Sequence, residues 1–181
     1  MRRIIHRREI VADDVRYDED EPVSGSRTVQ PAAQFIAAHQ AAQQAAGQQA
    51  AGQAATAQQA IAQRPGAGAV VLIGPTDEVE LLAPYLGAIS LVVVQFAKAG
   101  DGRGFSQARM LRQRYRYSGE LRARGAIKRD LLFFLARCGF DSFDLDPTED
   151  LEASLAAFDS FSVAYQDGSD AVVHVRQRAA R

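Results

Sequence analysis

The chain has a single cysteine, Cys138, which excludes an intramolecular disulfide framework and any multi-cysteine metal or iron–sulfur site within one copy. Long apolar runs are missing too. Ala69 to Ile73 and Leu91 to Val94 fall far short of the roughly 20 residues a membrane-spanning helix requires. The opening Met1-Arg2-Arg3-Ile4-Ile5-His6-Arg7-Arg8 is charged, but no apolar stretch follows it, so no secretory signal is expected and a cytoplasmic protein is. Neither charge sign dominates: 21 basic and 22 acidic side chains leave a net charge of -1, with no overall pull toward nucleic acid or membrane. The three histidines, His6, His39 and His174, share no metal-ligand spacing, and no nucleophile–base arrangement stands out. No metal site is therefore expected, and the residues name no cofactor.

What is present divides into zones. A length of 181 residues suits one domain with its own core. Residues 1–31 form an N-terminal extension of alternating basic and acidic clusters, with Arg3–His6 and Glu9–Val11 read as short strands of a hairpin and Asp18 to Glu21 as a solvated loop. Residues 32–68 are an Ala/Gln-rich, low-complexity insertion and linker. Phe35, Ile36 and Ile61 are its only large apolar side chains, so the reading is a segment helical in part and loosely attached. Residues 69–166 carry the main domain, and residues 167–181 a polar tail, with Ala171 to Val175 as a possible edge strand.

The main domain alternates two periods. Ala69 to Ile73 and Leu91 to Phe96 are apolar, β-branched runs of the kind buried in parallel sheets. Leu121 to Ala123, Phe140 to Leu145 and Ser162 to Tyr165 are shorter strand candidates. Between them, Phe105, Ala108, Leu111 and Tyr115 recur at helical spacing, as do Ile127, Leu131, Leu132, Leu135 and Cys138, and then Leu151, Leu155, Phe158 and Phe161. Thr76 is placed to cap a helix after the first strand, and Gly139 to stop one in the left-handed conformation. Four to five βα units in this order predict an α/β fold with a mainly parallel sheet. Both an open sheet and one curled like half a barrel satisfy the pattern.

In such folds ligands collect where strands end and helices begin. The most distinctive of these loops runs from Lys98 through Asp101, Gly102, Arg103, Gly104, Ser106 and Gln107 to Arg109. Glycines turn backbone N–H groups toward a ligand, and two cations stand before a helix, a setting that suits an anion. The alternative is a tight turn capped locally by Asp101. Arg124 and Asp130, from the next strand–helix loop, complete the candidates for holding an anion or an acidic partner. Residues 98–130 hold ten basic and three acidic side chains, whereas residues 141–170 hold nine acids and no base. Either these stretches pair with each other, or they form a dipolar docking surface. Tyr115 and Tyr117 lie among arginines, but their spacing fits packing better than stacking on nucleic acid, and none is expected as a partner. Cys138, on an apolar helix face, reads as a buried, inert thiol.

Phe96-Ala97-Lys98 followed by Asp101-Gly102-Arg103-Gly104-Phe105-Ser106-Gln107-Ala108-Arg109 resembles the hallmark of a bacterial family, domain of unknown function 934. Gly119-Glu120-Leu121-Arg122-Ala123, Gly125 and Arg137-Cys138-Gly139-Phe140-Asp141-Ser142-Phe143 extend the similarity over about residues 69–166. The resemblance implies a cytoplasmic protein encoded beside sulfite reductase in sulfate-assimilation operons. It also implies an accessory role, or an oxidoreductase role, in sulfite reduction, with sulfite reductase or another sulfate-assimilation protein as partner. No catalytic residue comes with it. The chain departs from the family pattern at Ala126, where an acid is usual, and at Leu131, where glutamine is usual; Asp130 is retained. Beside the accessory role stand two alternatives: a non-catalytic adaptor of the sulfite reductase system, and an oxyanion- or phosphate-binding enzyme.

Overall fold

The computed structural model describes residues 2–17, 27–48, 68–98, 100–160 and 168. In chain order the strands are β1 (Arg3–His6), β2 (Glu9–Ala12), β3 (Val15–Arg16), β4 (Arg27–Pro31), β5 (Ala69–Ile73), β6 (Ile89–Phe96), β7 (Glu120–Gly125) and β8 (Ser142–Asp144). The helices are α1 (Ala32–Gln48), α2 (Arg103–Arg109), α3 (Leu132–Arg137) and α4 (Leu151–Leu155). A wider π turn over Met110–Arg114 continues α2, and short 3-10 segments cover Val79–Ala88, Arg129–Leu131 and Ala156–Asp159. The fifth strand read at Ser162 to Tyr165 and the edge strand at Ala171 to Val175 lie outside the described residues.

The strands form one sheet in the order β2-β1-β8-β7-β6-β5-β4-β3. Strands β3 to β8 run parallel, but β1 is antiparallel to both β2 and β8. The sheet is thus mixed, and the expectation of a mainly parallel one is corrected by the N-terminal hairpin. A two-residue connection permits only antiparallel pairing. Here it is Arg7-Arg8, both at positive φ (47° and 69°), the geometry that matches strand twist in tight hairpins. The hairpin then adds to the free edge of β8, pairing Ile5 with Phe143 and His6 with Ser142.

Connectivity forces the sheet to curl. Strands β2 and β3 are its two opposite edges, yet only Asp13 and Asp14 separate them in the chain. Three peptide steps reach at most about 11 Å, whereas eight flat strands would spread about 33 Å. The sheet bends accordingly into a half-barrel. Asp13 N–H donates to the Arg2 carbonyl beside one edge, and Arg27 N–H donates to the Asp14 carbonyl beside the other, at 2.8 and 2.9 Å.

The two faces have separate cores. On the convex face, Ile5, Val71, Ile73, Val92, Val94, Leu121, Ala123 and Phe143 join Leu82, Ala108, Leu111, Leu132, Leu135 and Phe158 from the helical layer. On the concave face, Val15, Tyr17, Val29, Val70, Leu91 and Val93 form a second cluster. Helix α1 belongs to the first core through Ala32 and Phe35, and His39 lies against the Phe35 ring at 4.1 Å. A loosely attached Ala/Gln segment therefore does not describe residues 32–39. One well-placed phenylalanine in the first turn is enough to pin a helix whose next turns are mostly exposed. The rest of the insertion, residues 49–67, lies outside the described residues.

Two local expectations change. Thr76 caps no helix: the Asp77 carboxylate folds back to accept from Gly74 N–H at 2.8 Å, and the following 3-10 segment starts at Val79 and contains Pro84. Cys138 is half-buried, not fully enclosed. Gly139 does stop α3 at φ 100°, as its position suggested.

Candidate functional site

The Gly/Arg-rich loop after β6 folds as the locally capped turn. Asp101 accepts from the Arg103 backbone N–H at 3.1 Å and from Nε and Nη2 of its side chain at 2.9 and 2.7 Å. The Arg103 hydrogen bonds hold the Asp101 carboxyl down to about 2. Gly104 is required by packing, since a Cβ there would strike the Phe96 ring. Gln107 is buried and ties α2 to the preceding loop, donating to the carbonyls of Gly74 (2.9 Å) and Asp77 (3.0 Å). Arg109 donates to Gln113 on its own helical segment. Lys98, Gly102, Ser106 and Asp130 are exposed. Because Arg103 is exposed and meets Asp101 at the surface, we expect Arg103→Ala to leave the melting temperature unchanged, as is usual for surface pairs. A clear drop in a thermal melt would show that the pair braces the turn.

Part of the basic stretch is engaged within the fold. Arg112 is consumed by the carbonyls of Gly139, Tyr117 and Gly119 and by the Asp141 carboxylate. Arg114 lies 3.8 Å from Glu80, and Arg124 lies 3.4 Å from Asp144. Arg112–Asp141 and Arg124–Asp144 join the basic stretch to the acidic one. Tyr117 is buried, with its hydroxyl donating to the Ile89 carbonyl, so it is no stacking platform.

Of the ten candidates, Arg124 alone faces the concavity. Along β7 the register places Glu120, Arg122 and Arg124 on the same face as Leu91, Val93 and Gln95 of β6. Leu121 and Ala123 turn to the helices instead. Arg124 and the 98–109 loop therefore share the C-terminal end of the sheet but serve opposite faces. The alternation Glu-x-Arg-x-Arg on a strand was the signal available for this face, because a period of two puts all three charges on one side.

Arg122 anchors the interior. Its side chain is 2% exposed and donates to Asp13 (2.6 Å), Glu120 (3.1 Å) and Ser142 (3.2 Å), with the Tyr17 hydroxyl at 3.4 Å. Asp13 is itself 1% exposed, and among the described residues its second carboxylate oxygen has no hydrogen-bond partner. Tyr17 reaches Arg122 although three strands intervene between β3 and β7, a contact possible only inside a curled sheet. Burial pushes the Tyr17 hydroxyl up, opposed by Arg122.

Above this layer Arg124 opens onto a cavity. Its guanidinium carbon sits 3.3 Å from the centre of the Tyr17 ring, a stacked cation–π arrangement. Its Nε lies 3.4 Å from Asp144, whose carboxylate receives the Arg2 fork at 3.1 and 2.6 Å. Burial pushes the Asp144 carboxyl up, and Arg2 and Arg124 pull it back. Arg124 is 20% exposed, and among the described residues its two terminal amino groups have no hydrogen-bond partner. With Val29, Pro31, Leu72, Gln95, Gly125 and Tyr17 it lines a cavity of about 310 Å³. Pro31, Leu72, Gln95 and Gly125 lie toward the C-terminal ends of β4, β5, β6 and β7, where parallel strands deliver ligand contacts.

This arrangement can hold an anion by a fixed two-donor fork. Among the described residues, no group of three His, Cys, Asp or Glu side chains could hold a metal ion, and no helix is long and apolar enough to cross a membrane. Compared with known families, residues 69–175, more than half of the chain, match the family described as "Bacterial protein of unknown function (DUF934)". No curated protein matches the chain.

Proposed function

We propose that the chain, which belongs to the DUF934 family of bacterial proteins of unknown function, is a cytoplasmic accessory protein of assimilatory sulfite reduction whose half-barrel holds a small anionic ligand at Arg124. The sulfur-assimilation setting rests on the sequence resemblance alone. The ligand rests on one observation: a guanidinium stacked on Tyr17, with both terminal amino groups unpartnered among the described residues, on the wall of the concave cavity. A hydrogen bond to a charged group contributes about 1.5–3 kcal/mol, so the fork supplies enough for specific though modest binding.

A catalytic reading would need a group free to move protons. Asp144 is the nearest candidate, but both of its oxygens are engaged by Arg2. Binding without chemistry at this position is the reading the geometry favours. The Gly102–Arg109 loop no longer supplies the anion contact in this account, since Arg103 is spent on Asp101.

Two measurements test the two halves. Association with sulfite reductase, followed at low and high ionic strength, should be detectable and should weaken with salt; absence of association at low salt would remove the sulfur half. Thermal shift against small anions at fixed ionic strength should show stabilisation that Arg124→Ala abolishes, because a ligand that binds only the folded state stabilises it by mass action. A response unaltered by that substitution would remove the ligand half.

A further inference from the structure

We infer that the ligand held at Arg124 is an organic monocarboxylate carried on an apolar body, and not inorganic sulfite, sulfate or a phosphate ester. The inference rests on the reading of Arg124 as an anion site and specifies what that site takes.

Size is the first argument. The cavity offers about 310 Å³ and opens to solvent. A five-atom oxyanion beside Arg124 would leave most of that space to water, against the apolar walls of Val29, Pro31 and Leu72. An apolar body of matching size removes those walls from water and gains from their burial.

Charge is the second. The interior carries three guanidiniums, Arg2, Arg122 and Arg124, against three carboxylates, Asp13, Glu120 and Asp144. Arg122 is enclosed by Asp13 and Glu120, and Arg2 is forked onto Asp144. Arg2 and Arg124 together face Asp144 alone, and among the described residues only Arg124 retains donors for a newcomer, so one negative charge can be matched at this end. A second would be desolvated without a partner, which is strongly unfavourable. Dianions such as sulfate and phosphate monoesters are therefore poor fits.

Shape is the third. Stacking on Tyr17 fixes the plane of the guanidinium, and Nε is its nitrogen nearest Asp144, at 3.4 Å. The edge farther from Asp144 is the pair of terminal amino groups, a planar two-donor fork that matches the two oxygens of a carboxylate.

The experiment is isothermal titration of the full chain with 3-phenylpropionate, sulfite and sulfate at equal ionic strength. We expect 3-phenylpropionate to bind one per chain, at least tenfold more tightly than either inorganic anion. Arg124→Lys, which keeps the charge and loses the fork, should weaken it at least tenfold, and Arg124→Ala should abolish it. Circular dichroism melts of both variants establish that they are folded. Sulfite or sulfate binding as tightly as 3-phenylpropionate, with either lost in Arg124→Ala, would overturn this inference and leave the anion site standing. Binding of no anion, or binding indifferent to Arg124, would overturn both.

Discussion

Replacing Arg122 by methionine is expected to lower folding stability by about 3–5 kcal/mol, the range found when one member of a buried charged cluster is removed. The guanidinium is 2% exposed and holds Asp13, Glu120 and Ser142 together. Methionine has a similar volume and leaves no large void, so the cost arises from the acids left behind. Asp13, 1% exposed, would keep only its local bond from the Val15 N–H. Combining Arg122→Met with Asp13→Asn and Glu120→Gln should recover a good part of the loss, because uncompensated charge is what each removes. Urea denaturation of the single and triple variants measures both effects. A loss under about 1 kcal/mol for the single variant would mean that the inner network is hydrated and contributes little.

Gly125→Ala is expected to cost about 3 kcal/mol, for two reasons that act together. The residue adopts φ 118°, where side-chain-bearing residues are strained. A Cβ there would also meet the Phe96 carbonyl oxygen, which accepts the Ala126 N–H at 2.9 Å. The end of β7 pairs with the end of β6 at this point, Gly125 opposite Phe96, so neither backbone can shift without disturbing the cavity that Gly125 lines. Gly102→Ala is the matched control. Gly102 sits at φ -77° with nothing near its Cβ position, so alanine there should be neutral or slightly stabilising, by about 0.4–1 kcal/mol. Equal losses at the two positions in thermal melts would contradict this account of the close approach.

Much of the fold was legible where local pattern and tertiary role agree. Ala69–Ile73 forms the strand its run of β-branched residues indicates, and Gly139 ends α3 where the apolar stripe stops. The hairpin was also readable, but its docking on β8 was not. That pairing joins residues about 140 positions apart and depends on which sheet edge is left free. The Ala/Gln segment was read as loose because its composition is poor in large apolar groups, yet Ala32 and Phe35 place the start of α1 in the core.

The site was legible only at Arg124. The glycines and cations after β6 look like an anion loop in sequence, but Asp101 satisfies Arg103 two residues away, and Gly104 answers to the Phe96 ring. The groups that do converge are scattered: Arg2, Asp13 and Tyr17 come from the N-terminal extension, Arg122 and Arg124 from β7, and Asp144 from β8. Only the curl forced by the two-residue link between β2 and β3 brings them together. The opposite charges of residues 98–130 and 141–170 were a partial clue, since Arg112–Asp141 and Arg124–Asp144 are pairs between those stretches.

The central claim is that anions are held inside the half-barrel by Arg124 and not by the loop at Arg103. Parallel titration of the unaltered chain, Arg124→Ala and Arg103→Ala with a single small carboxylate, at constant ionic strength, tests it most directly. The account predicts that binding persists with unchanged affinity in Arg103→Ala and is lost in Arg124→Ala. Binding lost in Arg103→Ala and retained in Arg124→Ala would contradict it.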